Sequence, residues 1–277
     1  MKFSAWRTSK RIEIEFLKTL NVLSDLFNKI AKSSGSDYEK YVRKMNEFQK
    51  SKQFDKFVMS AVKRMVVPIS SVNEDTWRKA AKKSMAGNLF YKLLLEEIDK
   101  NHKTVIEQQI QDNANLIKTL PNDVAQKVVN DIYDATLKGD RASSIEKIIR
   151  DKTDQHSRAS ARLIARTEVA KTQAALTKAR SEELGINWYV WRTALDGNRV
   201  RKSHRNMEGV LVNWNNPPSP EELVGEKSVG NYHAGNIWNC RCYSEPLLEI
   251  NDVRWPHKVY MNNHITVMKK ADFEQIM

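Results

Sequence analysis

A chain of 277 residues, 40% hydrophobic and with eight tyrosines, eight phenylalanines and seven tryptophans, has the material for a packed core. That excludes a wholly disordered polymer and bounds the count at one or two domains, with two favoured. The net charge of +12 is uneven: residues 1–100 hold 21 Lys and Arg against 12 Asp and Glu, a balance of +9, which suits either a polyanion such as DNA or a lysine-rich solvated helical surface.

From Arg11 to about Leu137 the pattern is that of successive amphipathic helices. Ile12, Phe16, Leu20, Leu23, Phe27 and Ile30 recur at steps of four and three and form one stripe, which ends at the Ser-Ser-Gly-Ser of 33–36. A second helix carries Tyr38, Tyr41, Val42, Met45 and Phe48, and a third runs from Phe54 to Met65 before Pro68 stops it. A fourth holds Trp77, Ala80, Ala81, Met85, Leu89, Leu93 and Ile98. After Pro121, Val124, Val128, Ile132 and Tyr133 mark another helix that ends near Gly139. Ser143 and Glu146 have capping-box spacing and start the next, and a long alanine-rich helix spans roughly residues 157–184 before Gly185. These stripes are read as core.

The period then changes. Residues 186–193 are aromatic and β-branched and predict a strand, followed by an Asp196-Gly197 turn. Residues 209–214 predict a second short strand, the Pro-Pro-Ser-Pro of 217–220 and glycines 225, 230 and 235 a long loop, and residues 240–248 a third strand. The fold class is therefore α+β: a mainly helical N-terminal region followed by a small module with a short antiparallel sheet. The boundaries expected are 1–140 for the basic helical region, 141–250 for the module with its leading helix, and 251–277 for a C-terminal extension. No apolar stretch approaches the roughly 20 residues a bilayer crossing needs, and the first ten residues lack the apolar core of a signal peptide. A cytoplasmic protein without a membrane partner is expected.

Three segments carry a resemblance. They are Ile164-Ala-Arg-Thr-Glu168 in the alanine-rich helix; Trp191 with Asp196-Gly-Asn-Arg-Val-Arg201, His204 and Met207-Glu-Gly209; and Asn239-Cys-Arg-Cys242 entering an apolar strand. In this order and spacing, over about residues 115–250, the chain resembles the phage Mu F-like head morphogenesis family, the minor head proteins of tailed phages. The family often has Asp-Gly where this chain has Glu208-Gly209, which keeps the charge and the turn glycine. The resemblance implies a protein of low copy number in the phage head, bound near the portal with other head components. It also implies contact with packaged double-stranded DNA in some relatives. The protein is thus expected in the virion, and in the host cytoplasm during assembly. The competing reading is a non-structural phage protein that binds DNA or processes it with a metal.

The candidate residues follow. Arg166 and Glu168 are two apart on a helix and cannot face each other, so each needs a partner elsewhere, Asp196 and Arg241 being the simplest ion-pair candidates. His204, His233, Cys240 and Cys242 have the donor chemistry of a tetrahedral structural zinc site, although Cys-x-Cys is tighter than the usual finger spacing. The alternatives are a metal-free core in which the cysteines act as small hydrophobes, and oxidation chemistry. A disulfide is disfavoured, since two residues apart on a strand their Cα atoms would stand roughly 6.5 to 7 Å apart. Arg78, Lys79, Lys82 and Lys83 form the densest basic cluster and are the choice for phosphate contact without sequence preference. Glu168, Asp196 and His204 can be drawn as a nuclease. No His-Asn-His spacing, phosphate loop or nucleophile elbow accompanies them, so the chain is read as no enzyme and no residue as catalytic.

Overall fold

A computed structural model of the protein describes residues 5–83, 92, 101–138, 144–194 and 200–277. The element order among them is α1 (Lys10–Ser34), α2 (Tyr38–Gln49), α3 (Lys52–Lys83), α4 (Asn101–Leu137), α5 (Ile145–Glu183), β1 (Trp188–Arg192), α6 (Lys202–Asn206), β2 (Leu211–Asn213), β3 (Tyr243–Pro246), β4 (His257–Met261), β5 (His264–Met268) and α7 (Lys270–Glu274). The α+β class is as expected. Residues form two compact units: Met1–Ser9, Pro68–Glu107 and Arg166–Met277 make one, and Lys10–Val67 with Gln108–Ala165 make the other.

Three helices are longer than their prolines and caps suggested. Pro68 lies inside α3 and Pro121 inside α4, where each was expected to bound a helix. An interior proline costs about 3 kcal/mol, yet Met65, Val66 and Ile69 around the first and Leu120, Val124 and Ala125 around the second are buried, each large apolar side chain contributing roughly 1.5 to 3 kcal/mol. Burial wins. The segments predicted to begin at 143 and 157 are one helix, α5. Ser143 and Gly139, and Met85, Leu89, Leu93 and Ile98 of the fourth predicted helix, lie outside the described residues.

The helical unit buries the stripe read from the sequence, Phe16, Leu20, Leu23 and Phe27 on α1, together with Tyr41 and Met45 on α2. Asp37 caps α2, its side chain accepting from the Lys40 amide at 2.8 Å. Polar ties fix α5 there: Thr153 Oγ1 donates to the Tyr41 hydroxyl at 2.8 Å, and Arg158 reaches Asp25 at 2.8 Å.

In the other unit the strands lie in the order β3-β1-β2-β4-β5. Three pairings are antiparallel, and the fourth, β2 with β4, is parallel through Leu211 and Val259. The β4–β5 hairpin occupies the stretch read only as a C-terminal extension. Alternation along β1 and β2 sends Tyr189, Trp191 and Val212 to one face, with Met207, Trp214, Tyr232, Ile237 and both cysteines. Trp188, Val190 and Leu211 go to the other, with Leu247, Val259 and Phe273. Both faces are covered, and the first carries the site.

Candidate functional site

The exit of β1 is held by residues that follow α6. The Thr193 amide donates to Glu208 Oε2 at 2.6 Å, and the Gly209 amide, at a φ of 75°, donates to the Trp191 carbonyl at 2.9 Å. Glu208 therefore caps the strand exit. The short helix α6 between these segments carries His204, 2% exposed.

A second loop descends to meet it. Asn239 has a φ of 56°, and α5 holds it: its amide donates to Thr167 Oγ1 at 2.9 Å, and its side-chain oxygen accepts from Arg166 Nη1 at 2.6 Å. Gly235 lies against the same helix, where an added Cβ would stand 3.5 Å from both the Ala170 oxygen and the Ala174 Cβ. The small residues of the alanine-rich helix thus admit backbone where larger side chains would block it. Cys240 and Cys242 precede β3 rather than lying on it, which corrects the expected strand of 240–248; the loop, not strand alternation, aims both sulfurs inward.

There the sulfurs meet one imidazole. His204 Nδ1 is 3.5 Å from Cys240 Sγ and 3.4 Å from Cys242 Sγ, and the three atoms lie within 4.8 Å of one another. Both thiols are free and buried. The Tyr232 hydroxyl donates a hydrogen bond to Glu221, at 2.7 and 2.8 Å from the two carboxylate oxygens, and stands 2.9 Å from His204 Nε2. With that proton committed, the tyrosine oxygen accepts from Nε2–H, leaving Nδ1 bare and facing the sulfurs. Without a metal the thiols share protons unequally. The hydrogen bond from Cys242 draws the Cys240 thiol well below its ordinary value, whereas its role as donor to Cys240, together with burial, pushes Cys242 up.

His233 does not join this cluster. Its Nδ1 faces the Tyr189 hydroxyl at 3.1 Å, its ring lies edge-on to Trp214, and burial lowers its pKa to about 4. Of the four expected ligands the structure brings together three.

A cavity of about 420 Å³ opens beside the sulfurs, lined by Arg166, Arg201 and Arg241 as well as by His204, Cys240 and Cys242. Arg201 donates to the Trp238 carbonyl at 2.9 Å and stacks over its ring at 5.3 Å. Glu168 meets Lys171 one turn along at 3.4 Å, and Asp196 lies outside the described residues. In the basic cluster Arg78 is paired with Glu74, while Lys79, Lys82 and Lys83 are exposed. The sequence reading missed Glu221 and Tyr232. Their only signal was two hydrogen-bonding residues in a proline- and glycine-rich loop that had to be held by something.

The comparisons bear on the same stretch. Residues 126–245 match the family model described as Phage Mu protein F like protein, a range that includes the histidine, both cysteines and the Glu221–Tyr232 pair. A Haemophilus influenzae protein, described only as uncharacterized, is 35% identical over 142 residues, which is 50% of this chain and 29% of that protein. The chain thus aligns with less than a third of this relative's length. No solved structure matches.

Proposed function

We infer, from the match of residues 126–245 to the Phage Mu protein F like family, that the protein is a phage minor head protein acting in head morphogenesis near the portal. The observation that carries this reading is the match itself, supported by the way its signature residues fold together. The Ile164–Glu168 segment docks the Asn239–Cys242 loop, and His204 meets both cysteines. A buried, cross-braced site of this kind fixes the shape of a module, as an assembly component requires, and we read the protein as structural rather than catalytic.

Mass spectrometry of purified procapsids and virions tests this: the protein is expected at low copy relative to the major capsid protein. Expression in the infected cell with absence from both particles overturns it.

Contact with packaged double-stranded DNA belongs to the same proposal, supported by the +9 balance of residues 1–100 and by the exposed Lys79, Lys82 and Lys83. Binding of the full chain to unrelated duplexes should be similar and fall steeply with salt. Replacing the three lysines by glutamine should lower the slope of log affinity against log salt by up to about 0.9 for each phosphate that is no longer neutralised. An unchanged slope removes those lysines from the interface.

A further inference from the structure

We propose that His204 Nδ1, Cys240 Sγ and Cys242 Sγ bind one tetrahedral thiophilic divalent ion of the zinc class, whose fourth position opens into the arginine-lined cavity and takes an anionic oxygen ligand. The proposal rests on side-chain geometry and does not depend on the head-protein reading.

The distances fit the ion. Zinc binds sulfur at about 2.3 Å and imidazole nitrogen at about 2.0 Å, and a tetrahedral angle between such bonds separates the two ligand atoms by about 3.5 Å. The observed separations from Nδ1 are 3.5 and 3.4 Å, so an ion fits with little movement of the histidine relative to either sulfur. The imidazole is also prepared for it. Glu221 accepts the Tyr232 hydroxyl hydrogen bond, the Tyr232 oxygen accepts from Nε2–H, and the bare Nδ1 points at the sulfurs, which is the outer-shell arrangement that orients a metal-binding histidine. Ser203 adds a 3.2 Å hydrogen bond to the same Glu221 oxygen and steadies the far end of the chain. Metal binding releases the thiol protons to solvent, and two thiolates with a neutral imidazole then cancel the charge of the ion.

The three ligands found among the described residues leave one position, and all three residues line the cavity. Arg166, Arg201 and Arg241 line it too, and Arg201 Nη1 is buried with no hydrogen-bond partner among the described residues. A planar donor so placed is matched to a phosphate-like oxygen. Closed structural zinc sites have four protein ligands; among the described residues this one offers three, which leaves the position that exogenous ligands use.

The test uses the full chain purified without a histidine tag or chelator. Elemental analysis should find about one zinc per chain, and cobalt should give thiolate charge-transfer bands with the visible pattern of a tetrahedral ion. Inorganic phosphate should shift the visible bands of the cobalt form, and Arg201→Ala should weaken that response while cobalt stays bound. His204→Ala, Cys240→Ser and Cys242→Ser should each lose the metal, whereas His233→Ala should keep it. Wild-type protein with native circular dichroism but no zinc and no cobalt bands overturns the site, whether or not the variants fold. A folded His233→Ala protein that has lost its metal overturns the ligand assignment. Cobalt bands indifferent to phosphate overturn the open fourth position.

Discussion

Gly235→Ala should weaken the sheet-containing unit by more than the backbone conformation alone explains. The glycine has a φ of 86°, a region that costs an L residue about 1 to 2 kcal/mol. The new Cβ would stand 2.9 Å from the Cys242 carbonyl oxygen, and the neighbour is backbone, held by the adjoining β3 strand and unable to swing away as a side chain does. Overpacking of this kind adds roughly 1 to 3 kcal/mol, so the total is about 2 to 5 kcal/mol. Gly225→Ala supplies the control: its φ is 74° and nothing lies within 4 Å of the added carbon, so it carries the conformational cost only, about 1 to 2 kcal/mol. All seven tryptophans, at 6, 77, 188, 191, 214, 238 and 255, belong to the sheet-containing unit. Urea unfolding followed by tryptophan fluorescence therefore reports that unit. If Gly235→Ala costs no more than Gly225→Ala, the loop does not approach Cys242 as described, and the placement of the sulfurs against His204 is wrong with it.

Two further outcomes are expected. His102 and His233 are held neutral, with burial lowering each to about 4 from an ordinary value near 6.5. Both folded values are depressed, so their stabilisation is complete above about pH 6.5 and is lost as pH falls toward 4, by up to about 3 kcal/mol for each group. Tryptophan-monitored unfolding at pH 7 and pH 4.5 should show this loss, and His233→Gln should reduce it by about half; an equal loss in the variant refutes the assignment. In the helical unit, Tyr41→Phe removes the acceptor of the Thr153 hydroxyl, both groups being buried. The cost should be about 1 to 2 kcal/mol by far-ultraviolet circular dichroism, and Thr153→Val in the same background should recover part of it.

Much of this fold is legible in local pattern. The steps of four and three on α1 correspond to the buried Phe16, Leu20, Leu23 and Phe27, and the aromatic run at 188–192 is a strand because neighbouring strands cover both of its edges. The prolines misled because a ring that costs one hydrogen bond is outweighed by apolar burial on either side, a tertiary effect that no local rule contains. The β4–β5 hairpin left a signal that could have been read, Asn262-Asn263 between alternating residues, and both asparagines have positive φ. Within the site, the donor types of His204, Cys240 and Cys242 were visible in the sequence. What separates His204 from His233 was not: one imidazole is braced by Tyr232 and Glu221, the other turned to Tyr189, and both arrangements depend on where a long loop comes to rest.

The interleaving of the two units has a consequence for biosynthesis. Helices α3, α4 and α5 each cross from one unit's residues to the other's, so neither unit is a continuous stretch of chain. The helical unit takes its last residue at Ala165, while the sheet-containing unit draws on residues up to Met277. During vectorial synthesis the helical unit can close on the ribosome before a single strand has emerged. The residues of α3 from Pro68 onward, already made, must then wait for the β-sheet they will join. Ribosome-stalled chains ending soon after α5 clears the exit tunnel should protect the α1 and α2 amides from exchange while the early tryptophans, Trp6 and Trp77, remain in water.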